Sequence, residues 1–145
     1  MALVVFLRGV NVGGHRTFRP RILAQQLKRY DAVNVGAAGT FVIRKAAPQA
    51  EVRAELKNRL PFETEVVICT GQDLITMASG NPFGNEPIPS DVVRFVSVLS
   101  KRPRVSPSLP LSFPDEGDWL LKILSTENRF VFGIYRRPMK TIRYL

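Results

Sequence analysis

Within seven positions the chain sets one cation, one amide and three glycines, Arg8-Gly9-Val10-Asn11-Val12-Gly13-Gly14, and follows them at once with His15 and Arg16. Exposed backbone N–H groups of the kind Gly13 and Gly14 offer can hold an anion when cations flank them. Arg8 and Arg16 would neutralise its charge, Asn11 would orient it by hydrogen bonding, and His15 adds an imidazole to the same loop. Arg19 and Arg21 stand a few residues further on. The stretch is not a P-loop, because no Gly-Lys-Ser/Thr closes it. Nor is it a dinucleotide fingerprint, since the next helix opens near Pro20 and not on the glycines. Read as a site, it predicts a small anionic, phosphate-bearing ligand.

Other chemistry is sparse. His15 is the only histidine and Cys69 the only cysteine, so no His/Cys cluster has metal-ligand spacing. Cys69 sits in an apolar run with no cation beside it to lower its pKa, which describes an inert core thiol. Asp115, Glu116 and Asp118 cluster in a proline-rich stretch and read as solvated acids. No serine stands in a nucleophile elbow. The expectation is therefore a binding protein without a cofactor or metal rather than an enzyme, the alternative being an enzyme of unknown reaction that uses His15 with the arginines.

Charge supports a second reading, a nucleic-acid-binding module that uses the basic ends of the chain. The formal net charge is +9, distributed as +7 over residues 1–47, −4 over 48–92 and +6 over 93–145. Two basic ends brought onto one face would favour a polyanion through counterion release. Phe6 and Phe41 are then candidates to stack bases from the open face of a sheet, with Arg44 and Lys45 on the phosphates. Burial beneath the apolar strands of the second half competes with that role for both rings.

The elements that must position these residues follow from periodicity. Ala2–Leu7 is apolar throughout, with β-branched and aromatic residues at Val4, Val5 and Phe6, as a buried central strand requires. Pro20 suits a first helical turn, and Leu23, Leu27 and Tyr30 then share one helix face. Residues 32–35 and 40–43 read as strands joined by a glycine turn. Pro48 opens a second helix carrying Val52, Leu56 and Leu60 at intervals of four, and residues 65–69 form another strand. Thr70 and Asp73 have the spacing of a capping box ahead of a short helix presenting Leu74, Met77 and Ala78. Residues 92–99 are a strand. Residues 101–118, interrupted by Pro103, Pro107, Pro110 and Pro114, read as irregular. Residues 119–124 and 130–135 pair across a turn at 125–129.

The β-α-β-β-α-β order predicts an α+β fold with a ferredoxin-like, split βαβ antiparallel sheet covered by two helices, extended by a third helix and further strands. At 145 residues the chain suits a single domain, a ferredoxin-like half at 1–82 and a strand-rich half at 83–145. No apolar run approaches the ~20 residues of a membrane helix. With no signal-type segment and one cysteine, a cytoplasmic setting is expected. Pro138, Met139, Ile142 and Leu145 have the spacing of an opening amphipathic helix.

Arg8 to Gly14, the helix after Pro20, the strand pair around Gly39 and Asn81-Pro82-Phe83 together resemble a bacterial family catalogued as domain of unknown function 1697. Its chains open with a strand running into Arg-Gly-(Ile/Val)-Asn-Val-Gly-Gly. The resemblance implies a fold and no settled activity. Family chains usually read Gln-Ser-Gly-Asn where this one reads Ala37-Ala38-Gly39-Thr40. They also run on into a helical segment with a Thr-Arg-Asn-Trp motif that is absent here, which implies a shorter member or a chain truncated at its C-terminus.

Overall fold

Alternation dictates the first strand. In a computed structural model that describes residues 1–85 and 87–137, β1 (Leu3–Leu7) buries Leu3, Val5 and Leu7 on one face and half-buries Val4 and Phe6 on the other. The proposed helix beginning at Pro138 lies outside the described residues. The chain divides into two compact units, Met1–Thr76 and Met77–Leu145.

In the first unit the order is β1, α1 (Pro20–Gln26), β2 (Ala32–Val35), β3 (Thr40–Ile43), α2 (Gln49–Arg59) and β4 (Val66–Thr70). The strands lie in the antiparallel order β2-β3-β1-β4, so β1 is central as its composition requires. Each helix connects strands that are not neighbours in the sheet. The core lies on one sheet face, where Leu3, Val5, Leu7, Phe41, Ile43 and Ile68 meet Leu23 and Leu27 of α1 and Val52 and Leu56 of α2. Burying one such aliphatic side chain stabilises by roughly 1.5–3 kcal/mol.

Helix α1 stops four residues short of the expected end at Tyr30. Lys28–Tyr30 tighten into a 3-10 turn, closed by Asp31 at φ 52°. Tyr30 still reaches the core, and its hydroxyl donates to Glu51 Oε1 on α2 at 2.7 Å. Arg29 pairs with Glu51 at 3.5 Å and Glu55 at 3.3 Å, and Arg59 pairs with Glu55 at 2.6 Å. The tightened turn thus carries the tyrosine onto the second helix.

Helix α3 (Gly71–Ser79) starts with the expected capping box. Asp73 N–H donates to Thr70 Oγ1 at 3.1 Å, and Thr70 N–H donates to an Asp73 carboxylate oxygen at 3.0 Å. The acid satisfies a donor the helix start leaves open. Leu74 and Met77 are half-buried as the expected face requires, while Ala78 is exposed.

The second unit holds an antiparallel sheet of β5 (Val92–Val98), β6 (Leu111–Phe113), β7 (Leu121–Glu127) and β8 (Phe130–Arg136), in the order β5-β8-β7-β6. β6 corrects the irregular reading of 101–118. Pro110 and Pro114 flank the strand without interrupting it, and it pairs only with β7 at the sheet edge, where a missing N–H is tolerated. The hairpin turn is also shorter than expected. Glu127 pairs with Phe130, leaving Asn128 and Arg129 as a two-residue loop, with Asn128 at φ 53°. Leu121, Phe130 and Phe132 are buried, and Phe83 meets Phe132 edge-on at 5.8 Å. Trp119 is flanked by Lys122 and Arg136, whose charged groups lie 4.6 and 4.2 Å from its ring centroid.

Candidate functional site

β1 ends where both of its neighbours hold it. Leu7 N–H donates to the carbonyl of Gly39 at 2.9 Å, and Arg8 N–H to that of Glu65 at 3.1 Å. The chain then folds into an arm. Val10 is buried, and His15 N–H closes a tight turn on the Val12 carbonyl at 3.0 Å. Gly13 and Gly14 form the exposed tip at φ 57° and 76°, backbone angles that side chains disfavour. Asn11 and Arg16 also take positive φ, 54° and 48°, and Asn11 N–H donates to the Arg16 carbonyl at 3.2 Å.

Asn11 fastens the arm on two sides. Its Nδ2 donates to the carbonyl of Ala37 in the β2–β3 turn at 3.0 Å, and its Oδ1 accepts from Phe18 N–H at 2.9 Å. Gly39 completes the join, because its missing Cβ lets the turn lie directly on Val10 and Leu7. Phe18 then packs edge-on against Phe62 at 5.9 Å and at 6.4 Å from Phe41.

This join creates an open groove of about 820 Å³ lined by Asn11, Phe18, Pro20, Ile22, Asn34 and Ala37, with Gly36 and the two guanidinium-bearing residues Arg19 and Arg21. No carboxylate among the described residues lines it. Among the described residues Arg19 and Arg21 have no ion-pair partner, in contrast to Arg8, Arg29, Arg44, Arg59 and Arg136.

The expected site residues divide around the arm. Asn11 lines the groove, as do Arg19 and Arg21, which the sequence placed only nearby. Arg8 turns to Glu65 at 3.2 Å, outside the groove lining. Arg16 lines a separate depression of about 480 Å³ with Lys57, Leu60, Phe62, Glu63 and Thr64. Gly13, Gly14 and His15 are exposed and line neither hollow. Among the described residues no side-chain hydrogen bond orients the His15 ring. The sequence signal for the groove was Arg19-Pro20-Arg21, and Asn34 carried none.

The base-stacking set does not converge. Phe41 is fully buried in the core beneath the helices. Phe6 pairs with Thr40 and Val5 with Phe41, so the two phenylalanines lie on opposite faces of the sheet. Arg44 is engaged by Asp31 at 2.7 Å, and Lys45 is exposed. Among the described residues no group of three or more His, Cys, Asp or Glu side chains is placed to hold a metal ion. Among them, too, no helix is long and apolar enough to cross a membrane.

Fold and groove together define a small α+β protein with two antiparallel four-stranded sheets, the first unit bearing an arginine-lined hollow between the arm after β1, the start of α1 and the β2–β3 turn. The chain belongs to the family described as Protein of unknown function (DUF1697), whose model matches residues 1–116. No curated protein and no solved structure matches it.

Proposed function

We propose that this protein binds a small anionic, phosphate-bearing ligand in the groove between the arm after β1, the start of α1 and the β2–β3 turn. One observation carries the reading: Arg19 and Arg21 line a hollow that, among the described residues, no carboxylate lines. A guanidinium without a carboxylate partner keeps its donors for a ligand, and its planar fork suits phosphate or carboxylate oxygens. Asn11 supports the site by holding the turn and arm together, and Arg8 belongs to the scaffold through Glu65. A cytoplasmic setting is part of the same proposal, supported by the lone, buried Cys69.

The test is a titration of isotopically labelled protein with inorganic phosphate, pyrophosphate and phenyl phosphate, read by amide and guanidinium resonances. Movement confined to Arg19, Arg21, Asn11 and the 34–37 turn, and abolished by combined Arg19→Ala and Arg21→Ala, is the expected result. Unmoved resonances with all three probes would overturn the proposal.

A further inference from the structure

We infer that the groove's occupant is an organic anion with an apolar body, of the aryl or branched-alkyl phosphate or carboxylate class, and not an inorganic ion. This rests on the anion-binding reading above and narrows it. The groove volume, about 820 Å³, falls within the roughly 300–1,000 Å³ typical of sites for small organic molecules. A bare phosphate would leave most of it to water.

The lining has two chemistries. Phe18, Pro20, Ile22 and Ala37 supply an apolar wall, and Arg19 and Arg21 supply the charge. Phe18 is a fixed part of that wall, because Phe62 and Phe41 pack against it at 5.9 and 6.4 Å. Ile22 remains 43% exposed although it lies on a helix whose neighbour Leu23 is 4% exposed, so it is available for contact. Pro20 separates the two arginines, and its ring fixes the backbone from which they extend.

Both asparagine Nδ2 groups and the Asn11 Oδ1 are already engaged. Asn11 Nδ2 donates to the Ala37 carbonyl at 3.0 Å, and Asn34 Nδ2 donates to the Gly36 carbonyl at 2.6 Å. Those amides shape the groove by binding the β2–β3 turn. Charge and apolar surface are what remain to recognise a ligand. Such a lining favours an anion joined to a ring or branched chain over a neutral polyol.

Calorimetry at fixed ionic strength with phenyl phosphate, inorganic phosphate and phenol, on the full chain, tests the inference. Phenyl phosphate should bind at least about tenfold tighter than inorganic phosphate, since each buried apolar carbon adds to affinity. Ile22→Ser should narrow that ratio several-fold by weakening phenyl phosphate, and an unchanged ratio would overturn the inference; position 22 is exposed enough for the fold to survive the change. Equal affinity for the two phosphates would overturn this inference and leave the anion reading standing. Phenol binding as tightly as phenyl phosphate would overturn both, as would no binding of either phosphate.

Discussion

A Cβ on Gly39 would lie 2.5 Å from Val10 Cγ2 and 2.9 Å from Leu7 Cβ, so the β2–β3 turn rests on the arm without a methyl's width to spare. Its φ of 82° is also one that L side chains resist. Gly39→Ala should therefore destabilise by about 2–4 kcal/mol, joining a left-handed backbone cost to overpacking. Gly14, at φ 76° with nothing within 4 Å of its Cβ position, isolates the backbone cost. Gly14→Ala should cost only about 1–2 kcal/mol. Urea unfolding midpoints of the pair measure the difference, and equal shifts would show that the turn is not seated as described.

Asn11 spends both ends of its amide on backbone groups of two other segments. Asn11→Ala should cost about 1–3 kcal/mol, leaving the part-buried Phe18 N–H without its acceptor. Asn11→Gly loses the same bonds but relieves the φ of 54° and should be the milder of the two. Hydrogen exchange at the Phe18 amide should quicken in both; an unaltered rate would mean that the clamp is not what protects it.

Arg8 and Glu65 form an exposed pair, with side chains 70% and 40% accessible. Such pairs contribute little, about 0–1 kcal/mol. Arg8→Ala should shift stability by no more than that and leave the phenyl phosphate affinity within about twofold, because its guanidinium is engaged by Glu65 and Arg8 is not among the groove's lining residues. A tenfold loss of binding would return Arg8 to the site.

Tyr30 is held protonated above its ordinary pKa of 10.0, first by burial and then by the hydrogen bond it donates to Glu51. The unfolded chain loses that proton sooner as pH rises. The stabilisation is thus complete below pH 10.0 and is lost as pH climbs from there through the higher folded-state value. Stability measured across that alkaline range should fall more steeply in the native protein than in Tyr30→Phe. Parallel curves would place the titration elsewhere.

Gly133 pairs with Phe95 across β5 and β8, and a Cβ there would meet Phe95 Cζ at 2.4 Å and the Lys122 carbonyl oxygen at 2.6 Å. The backbone oxygen cannot rotate away. Gly133→Ala should cost about 1–3 kcal/mol, and Phe95→Leu in the same chain should recover part of it by removing the ring. A neutral Gly133→Ala would show that the sheet makes room for the methyl by a small local displacement at its β5–β8 seam.

Local patterns in the sequence read well against this fold. Leu23, Leu27 and Tyr30 are all buried, and Thr70 and Asp73 cap α3, because spacing along one element determines both outcomes. Relations between elements were the difficult ones. Phe6 and Phe41 look alike as strand aromatics, yet register sets Phe6 opposite Thr40 and puts the rings on different faces. Arg8 looks like the natural anion ligand beside the glycines, but Glu65, 57 residues away in sequence, takes its guanidinium. β6 was hidden by its flanking prolines, whose meaning depends on an edge position that no local pattern declares.

Position 37 separates two jobs that a single residue often combines. Its carbonyl anchors the turn to Asn11, and the residue, whose side chain is a methyl, is also among those that line the groove. The anchor is indifferent to what the side chain is. Chemistry at 37 is therefore a dial that evolution or an engineer can turn, through serine, glutamine or lysine, to change what the groove prefers while the scaffold is inherited unchanged.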